Sequence, residues 1–326
     1  MDALPPSEDA TSFLAAPRTL LAVGQLLERE AFEGGFVLSG ADGAGKATLA
    51  FLLAATILSG GRSLGACHDK VRSLISAGSH PDLRVLRRAE NEKTGKLRAE
   101  IDVDQARKVI AQLHQTSSTG RSVIIVDLAD ELGRSAANSL LKVLEEPPKG
   151  ACLFLLSRSP SRLLPTLTSR CRTIALRPVE DGPLARWLET KTELGAEEAL
   201  ATARDAGGAP GRALRLAFGE GQEAASMADS FLRAVEGRQD LLSASRKFSA
   251  KGAELVAAEA REIILTRLRR RLTNEAGGAA GLGLNLAAYD AAQTLFDRQG
   301  TADAAQTMFV AGLKMREALK GGRHVR

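Results

Sequence analysis

A phosphate-binding sequence lies near the start of the chain, where residues 40–46 are Gly-Ala-Asp-Gly-Ala-Gly-Lys. This run fits the pattern G-x-x-x-x-G-K, in which backbone N–H groups surround a phosphate and the lysine contacts the β- and γ-phosphates. It follows the apolar residues 36–38 and precedes an Ala- and Leu-rich helical pattern, whose N-terminus adds its positive dipole end. The predicted phosphate contacts are Gly40, Gly43, Gly45 and Lys46.

Two groups that ATP hydrolysis requires are missing near this loop. Ala47 takes the place of the Ser or Thr whose hydroxyl holds Mg²⁺, and Thr48 follows about 100° later around the helix. Asp127 ends a β-branched run and is placed to contact Mg²⁺, but the next residue is Leu128, which cannot accept a proton from water. We therefore expect ATP with Mg²⁺ to bind weakly or without hydrolysis, beside Thr48 and Asp127.

The elements that position these residues alternate between short apolar runs and helical patterns, which is typical of a parallel sheet flanked by helices. Strands are predicted at residues 36–38, 122–126 and 153–156. A helix over residues 135–146 ends at Pro147, because proline supplies no backbone donor. The N-terminal part is therefore predicted to be one α/β domain.

Beyond residue 178 strand signals end and helical patterns continue. We predict an α/β domain over residues 1–178, a small helical domain over 179–218 and a larger helical domain over 219–326, with a Gly-rich interruption at 277–283. The basic run Arg267-Leu-Arg-Arg-Arg271 is interpreted as an amphipathic helix with exposed arginines, and a DNA contact there is left open.

The composition limits the class of protein. Of 326 residues, 44% are hydrophobic and 25% charged, which excludes disorder as the main state. Aromatic residues make up only 4%, so a stacking platform for single-stranded nucleic acid is not expected. No apolar stretch is long enough for a membrane span, the first residues do not resemble a secretory signal, and the three cysteines form no disulfide framework. We expect a cytoplasmic protein without a membrane partner.

The net charge of +5 lies at the C-terminal end, since residues 210–326 hold 18 of the 44 basic residues and 13 of the 39 acidic ones. This excess permits a polyanionic partner without identifying one. No carboxylate pair for two-metal chemistry is found, so the chain is not expected to be a polymerase itself.

Several motifs resemble one family. The run from Asn138 to Pro148, Asn-Ser-Leu-Leu-Lys-Val-Leu-Glu-Glu-Pro-Pro, resembles a hallmark of the clamp-loader branch of AAA+ ATPases. Ser169-Arg170-Cys171 matches the Ser-Arg-Cys motif of that branch. Ser79-His-Pro-Asp-Leu83 and Ile101-Asp-Val-Asp-Gln-Ala-Arg107 are similar to the delta-prime family of bacterial DNA polymerase III subunits. The resemblance covers residues 17–217, whereas the last third fits only in length and helical character.

The resemblance implies an α/β RecA-like AAA+ P-loop domain, followed by a small helical lid and an all-α C-terminal collar. It implies delta and gamma/tau subunits as partners, in a ring that uses ATP to load the β sliding clamp on primer-template DNA. A delta-prime subunit is regarded there as the stator, a comparatively rigid accessory subunit of the polymerase holoenzyme. Its expected place is the cytoplasmic replisome.

Three site residues are carried over by position. The resemblance implies that Arg170 is an arginine finger for the ATP site of an adjacent gamma/tau subunit, a role that suits a planar, permanently charged guanidinium. It places Ser157 at the sensor-1 position and Arg212 at the sensor-2 position.

Asp130 and Glu131, near Asp127, are interpreted as solvated acids at the start of a helix.

One departure concerns zinc. Many relatives carry a four-cysteine zinc module, but here Asp69 and Arg72 stand where two of the cysteines would align. Cys67 and His68 alone cannot complete the four ligands of a structural zinc site, so we predict no zinc. His80 is then expected to serve packing or helix capping.

Other functions are compared with the accessory-subunit hypothesis. An autonomous ATPase motor of the gamma/tau type is opposed by Ala47 and Leu128, and by the missing zinc cysteines. A P-loop kinase or GTPase would leave residues 138–148 unexplained. A recombination or repair relative of clamp loaders is the third alternative.

Overall fold

The computed structural model of the chain describes residues 13–29, 32–90, 97–113, 120–219, 221–274, 286–294 and 304–320. Within these ranges the chain forms two compact units. The sheet unit lies within Ala3–Glu180 and includes Ala209–Arg212, and the helical unit comprises Asp181–Gly208 and residues from Ala213 onward. The division into three domains with boundaries at 178 and 218 stays a prediction.

The sheet unit contains five parallel strands in the order β2-β3-β4-β1-β5. The strands are β1 (Gly34–Ser39), β2 (Leu83–Leu86), β3 (Ser122–Val126), β4 (Ala151–Ser157) and β5 (Cys171–Ala175). The helices are α1 (Pro17–Glu28), α2 (Lys46–Leu58), α3 (Asp69–Ser76), α4 (Val103–Leu113), α5 (Arg134–Glu145) and α6 (Pro165–Thr168). This architecture confirms the predicted α/β fold with a parallel sheet flanked by helices, including all three predicted strands.

Alternate residues of the central strands enter opposite layers of the core. Phe36 and Leu38 of β1 pack with Leu53 and other residues of α2, whereas Val37 packs in the layer that contains Leu140 of α5. Side chains of a strand alternate between the two faces of a sheet, so each strand supplies both layers. Because both faces are covered, β3 and β4 are almost entirely apolar.

The helical unit follows the sheet unit along the chain. Its elements are α7 (Asp181–Lys191), α8 (Ala196–Asp205), α9 (Pro210–Phe218, of which the first turn belongs to the sheet unit), α10 (Gly221–Val235), α11 (Leu241–Arg246), α12 (Glu254–Asn274), α13 (286–294) and α14 (Ala304–Lys320). The predicted interruption at 277–283 lies outside the described residues. Among the described helices, not one combines the length and apolar character that crossing a membrane requires.

The arginines of α12 differ from the sequence interpretation. Ile264 and Leu268 are buried as predicted, but most of the arginines are half-buried and bonded to carboxylates. The ion pairs are Arg267 with Asp205 (2.8 Å) and Asp229 (2.6 Å), Arg270 with Asp181 (2.5 Å) and Arg271 with Glu236 (3.0 Å). The prediction of an exposed basic face is therefore wrong in part, because acidic residues distant in sequence neutralise it.

The Asp181–Arg270 pair predicts a pH-dependent stability. Hydrogen bonds from Arg270 hold the pKa of Asp181 below its ordinary value of 3.8. A carboxyl whose pKa is lowered by folding stabilises the fold above its unfolded pKa, and this contribution disappears as the pH falls through the folded value. Asp181→Asn should therefore lower the free energy of unfolding at pH 7, and its difference from wild type should shrink below about pH 3.8.

Denaturant unfolding of both proteins between pH 7 and pH 3 checks this expectation. Asp69→Asn is the matched control, because Asp69 lies in the first turn of α3, as Asp181 lies in the first turn of α7, but its side chain is exposed. A difference between Asp181→Asn and wild type that does not change with pH would contradict it.

Candidate functional site

The predicted phosphate loop connects β1 to α2. Gly43 and Gly45 have φ angles of +73° and +90°, and Gly45 is the N-cap residue of α2. Residues with a Cβ rarely adopt such φ values, so the turn needs glycine at these two positions. The loop therefore ends with the backbone N–H groups at the start of α2, where a phosphate binds well.

Lys46 lies at the centre of the loop. Its Nζ donates hydrogen bonds to the carbonyl oxygens of Gly40 (2.8 Å) and Ala41 (2.9 Å), and the residue is only 7% exposed. Burial lowers the pKa of this ammonium, and Arg158 acts in the same direction while Asp42 opposes it. The ammonium of Lys46 thus donates to neutral backbone oxygens. A bound phosphate would offer it a charged oxygen in their place, which is a stronger hydrogen-bond acceptor.

The beginning of α9 lies against the same loop. Gly211 N donates a hydrogen bond to the carbonyl oxygen of Gly43 (2.8 Å), and a Cβ placed on Gly43 would lie 2.5 Å from Arg212 N. Arg212 is 7% exposed. The structure therefore brings the predicted sensor-2 residue to the predicted phosphate loop, although they are far apart in sequence.

Two further contacts enclose the loop and were not predicted. A Cβ on Gly45 would lie 3.0 Å from the ring of Phe13, and one on Gly40 would lie 2.9 Å from the carbonyl oxygen of Leu176. Thr19 links α1 to the end of β5 through its hydroxyl, which donates to Ala175 O (3.1 Å). Phe13 precedes α1 as a single ring in a polar segment, and no motif in the sequence marks it.

The residues on the metal side of the loop do not fit Mg²⁺. Ala47 packs against the core and has no oxygen to donate, and Thr48 is half-buried one position later on α2. Asp127 forms an ion pair with Arg87 (Oδ2 to Nε, 3.2 Å). Within the described ranges, no group of three or more His, Cys, Asp or Glu side chains is placed to hold a metal ion. The loop thus fits a phosphate group, whereas its metal-binding residues are lacking.

Leu128 has an unusual backbone conformation. Its φ of 60° is the only positive value among the described residues other than glycine. Such values are uncommon for a bulky residue and often mark functional segments. Here the strained residue directly follows Asp127, at the position where the sequence lacks a water-activating carboxylate.

Ser157 and Asp130 bond to each other. Ser157 is fully buried at the end of β4, and its Oγ donates to Asp130 Oδ1 (2.7 Å), while Arg158 N donates to Oδ2 (2.7 Å). Glu131 pairs with Arg88 (2.6 Å). Asp130 and Glu131 do lie in the first turn of a short 3₁₀ helix (Ala129–Glu131), but the interpretation of them as solvated acids is wrong, because both are bonded to other residues. Asp130 instead links the turn after β3 to the end of β4.

His80 has a packing role, in line with the sequence interpretation. It is buried, and its Nδ1 accepts a hydrogen bond from Asp82 N (3.1 Å). Burial lowers the pKa of its imidazole, so the neutral ring is favoured.

Arg170, the predicted finger, lies in the turn between α6 and β5. Its Nη2 forms an ion pair with Glu145 Oε1 (2.7 Å), and its Nη1 donates to Thr166 O (3.0 Å) and Ser169 Oγ (3.3 Å). The Arg170 side chain is 37% exposed. The guanidinium is therefore held at the surface with part of it open to solvent.

Arg170 and the phosphate loop lie at opposite ends of the parallel strands. In the register of β1 and β5, Gly35 pairs with Cys171 and Ser39 pairs with Ala175. Arg170 precedes the first pair, whereas the loop follows the last, and the four residue steps between them span about 13 Å. Arg170 therefore belongs to a separate site from Lys46 and Arg212.

Comparisons with known proteins point to one family. The family profile described as "DNA polymerase III, delta subunit" matches residues 17–180. The DNA polymerase III subunit delta' of Pseudomonas aeruginosa is 38% identical over 215 residues, covering 64% of this chain and 61% of the relative. The subunit delta' of Escherichia coli is 36% identical over 166 residues, covering 51% of this chain and 47% of the relative. The DNA polymerase III subunit tau of Escherichia coli is 30% identical over 176 residues, covering 52% of this chain and 25% of tau.

The family profile matches residues that lie within the sheet unit. The chain spans about half to three fifths of the length of these delta' relatives. The match to tau covers a similar share of this chain but a quarter of tau itself.

The contact between the loop and α9 predicts a large effect of Gly43→Ala. Positive φ alone costs about 1–2 kcal/mol for a residue with a Cβ, and the overlap with Arg212 adds about 1–3 kcal/mol, the usual cost of overpacking. Gly78→Ala is the matched control, since Gly78 has a φ of +63° and nothing within 4 Å of an added Cβ. Thermal and denaturant unfolding of both variants measure the difference, and equal losses would show that the Gly43–Arg212 contact adds nothing.

Proposed function

This chain belongs to the family of the DNA polymerase III delta subunit, and from that membership we propose that it is a scaffolding subunit of a clamp loader. In this proposal it assembles with delta and gamma/tau subunits in the cytoplasm, and the complex places the β sliding clamp on primed DNA. The chain contributes a fixed surface and one arginine finger, Arg170, to a neighbouring ATP site.

The placement of Arg170 is the observation that carries this proposal. Its turn lies at the edge of the sheet opposite to the phosphate loop, and its guanidinium is partly exposed. A cation in this position has no phosphate of its own chain within reach, so it suits a phosphate group bound by an adjacent subunit. An arginine finger supplied by a neighbour stabilises the charge that develops during phosphoryl transfer.

The phosphate loop supports an accessory role over that of a motor. Its glycines and Lys46 fit a phosphate, so ATP or ADP is the proposed ligand. Hydrolysis would need a metal-bound hydroxyl and a general base, and Ala47 and Leu128 supply neither. Bound nucleotide would therefore serve as a structural ligand that holds the loop against the start of α9, with Ser157 and Arg212 nearby.

Nucleotide binding by the isolated chain should be independent of Mg²⁺. A fluorescent ADP analogue is expected to give the same Kd in Mg²⁺ and in EDTA, because Asp127 is paired with Arg87 and Ala47 has no ligand atom. Lys46→Ala should weaken binding at least about tenfold, the usual worth of a charge-assisted hydrogen bond. The control Lys149→Ala removes an exposed lysine instead. Binding that requires Mg²⁺ would contradict the proposed site, and absence of binding would remove nucleotide from the proposal.

Arg170→Ala tests the finger in a complex reconstituted from this chain with delta and tau subunits. Addition of the clamp and primed DNA should start a burst of ATP hydrolysis, and the variant should lose the part of the burst from the site that faces this chain, slowed there by about 10³. Arg170→Lys should not restore it, because an ammonium lacks the planar fork.

Arg162→Ala is the control, since Arg162 is an exposed arginine before α6. A full burst with Arg170→Ala would reject the finger and leave scaffolding to be tested by assembly alone. Failure of the wild-type chain to assemble would reject the clamp-loader function itself.

A further inference from the structure

We propose that Glu145 is a positioning residue for Arg170, fixing the guanidinium in the orientation that it presents to a neighbouring subunit. This inference rests on the proposed arginine-finger function. Glu145 contacts no reacting group itself and acts only through the side chain of Arg170.

The contacts of Arg170 leave part of its guanidinium for a ligand. An arginine has five N–H donors. Two of them, both on Nη1, are donated to Thr166 O (3.0 Å) and Ser169 Oγ (3.3 Å), and Nη2 lies 2.7 Å from Glu145 Oε1 in an ion pair. Among the described residues, these contacts involve only the two terminal nitrogens, so the Nε–H and the exposed part of the guanidinium are left for a phosphate. The side chain is thus restrained in advance, which reduces the entropy lost on contact.

The backbone on both sides of the ion pair is fixed by the core. Glu145 is the last residue of α5, and Leu144 before it is buried. Arg170 N donates to Leu167 O (3.1 Å), and Leu167 is buried in the same core layer as Leu144. Gly35 of β1 lies between the end of α5 and the start of β5, since a Cβ on Gly35 would overlap both Leu144 and Cys171. The distance between Glu145 and Arg170 is therefore set by packed residues rather than by mobile loops.

The location of Glu145 is unfavourable for its own helix. It lies at the C-terminal end of α5, where the negative end of the helix dipole disfavours a carboxylate. The cation of Arg170 offsets this cost. Glu146, the next residue, has the same charge and is also exposed, but its backbone already leaves the helix. A carboxylate in the last turn that is held by the predicted finger indicates a positioning role.

Glu145→Gln tests this role in the reconstituted complex, because glutamine keeps the size and an acceptor oxygen but removes the charge. We expect the rate of ATP hydrolysis at the interface with this chain to fall by up to about fivefold, which corresponds to the worth of an exposed ion pair. The KM for ATP should stay unchanged, since the nucleotide is bound by the other subunit. Glu146→Gln is the matched control and should behave as wild type.

The double variant Glu145→Gln with Arg170→Ala distinguishes positioning from a general effect. If Glu145 acts only through Arg170, the double variant should equal Arg170→Ala alone. The thermal midpoint of each isolated chain should stay close to that of wild type, because an ion pair at the surface contributes little to stability.

Three results would overturn the inference. One is a normal rate with Glu145→Gln while Arg170→Ala is impaired, which leaves the finger intact. Another is a further loss in the double variant, which gives Glu145 an independent role. The last is a normal rate with Arg170→Ala, which rejects the finger and the positioning residue together.

Discussion

The common direction of the five strands is the constraint on which the rest of the sheet unit depends. Parallel strands place all their carboxyl ends at one edge, and ligands of such sheets bind outside that edge. The phosphate loop after β1, Asp127 after β3 and Ser157 at the end of β4 accordingly lie at one side. The opposite edge receives the residues that precede the strands, and Arg170 is among them. One molecule therefore carries the predicted phosphate loop at one end of its strands and the predicted finger, Arg170, at the other.

The phosphate loop lacks some of the groups that its predicted chemistry needs, whereas the turn of Arg170 does not. The loop keeps the glycine conformations and the lysine of a phosphate site, but its hydroxyl and general base are replaced by Ala47 and Leu128. The turn of Arg170 keeps its cation, an ion-pair partner and a backbone acceptor. This contrast supports the proposed accessory role, in which the chain completes a site on a neighbouring subunit.

Sequence reasoning found the central strands and the loop because their signals are local. The runs at 36–38, 122–126 and 153–156 are apolar since those strands are buried on both faces. The strands β2 and β5 were not predicted, because they are the two outermost strands of the sheet and carry polar residues such as Arg84 and Arg172. Pairings between residues distant in sequence were also missed. The hydrogen bonds of Asp130 depend on the approach of β3 and β4, and no local pattern in one sequence encodes that approach.

The arginines of α12 illustrate the same limit. Their spacing predicted a buried apolar face, and Ile264 and Leu268 confirm it. The acidic partners come from α7, α8 and α10, so the charge state of this surface follows from tertiary structure. Part of the positive charge counted in the C-terminal third is therefore offset by these carboxylates.

Gly35 has a consequence for how this chain tolerates sequence change. The residue carries no functional group and lies within β1. Its missing side chain nevertheless allows α5 and β5 to approach each other closely. Even alanine at this position would have to displace the side chains of Leu144 and Cys171, which lie next to Glu145 and Arg170 in the chain. Residue 35 thus restricts the packing around Arg170 through the space it leaves open, although it offers no polar group to a ligand.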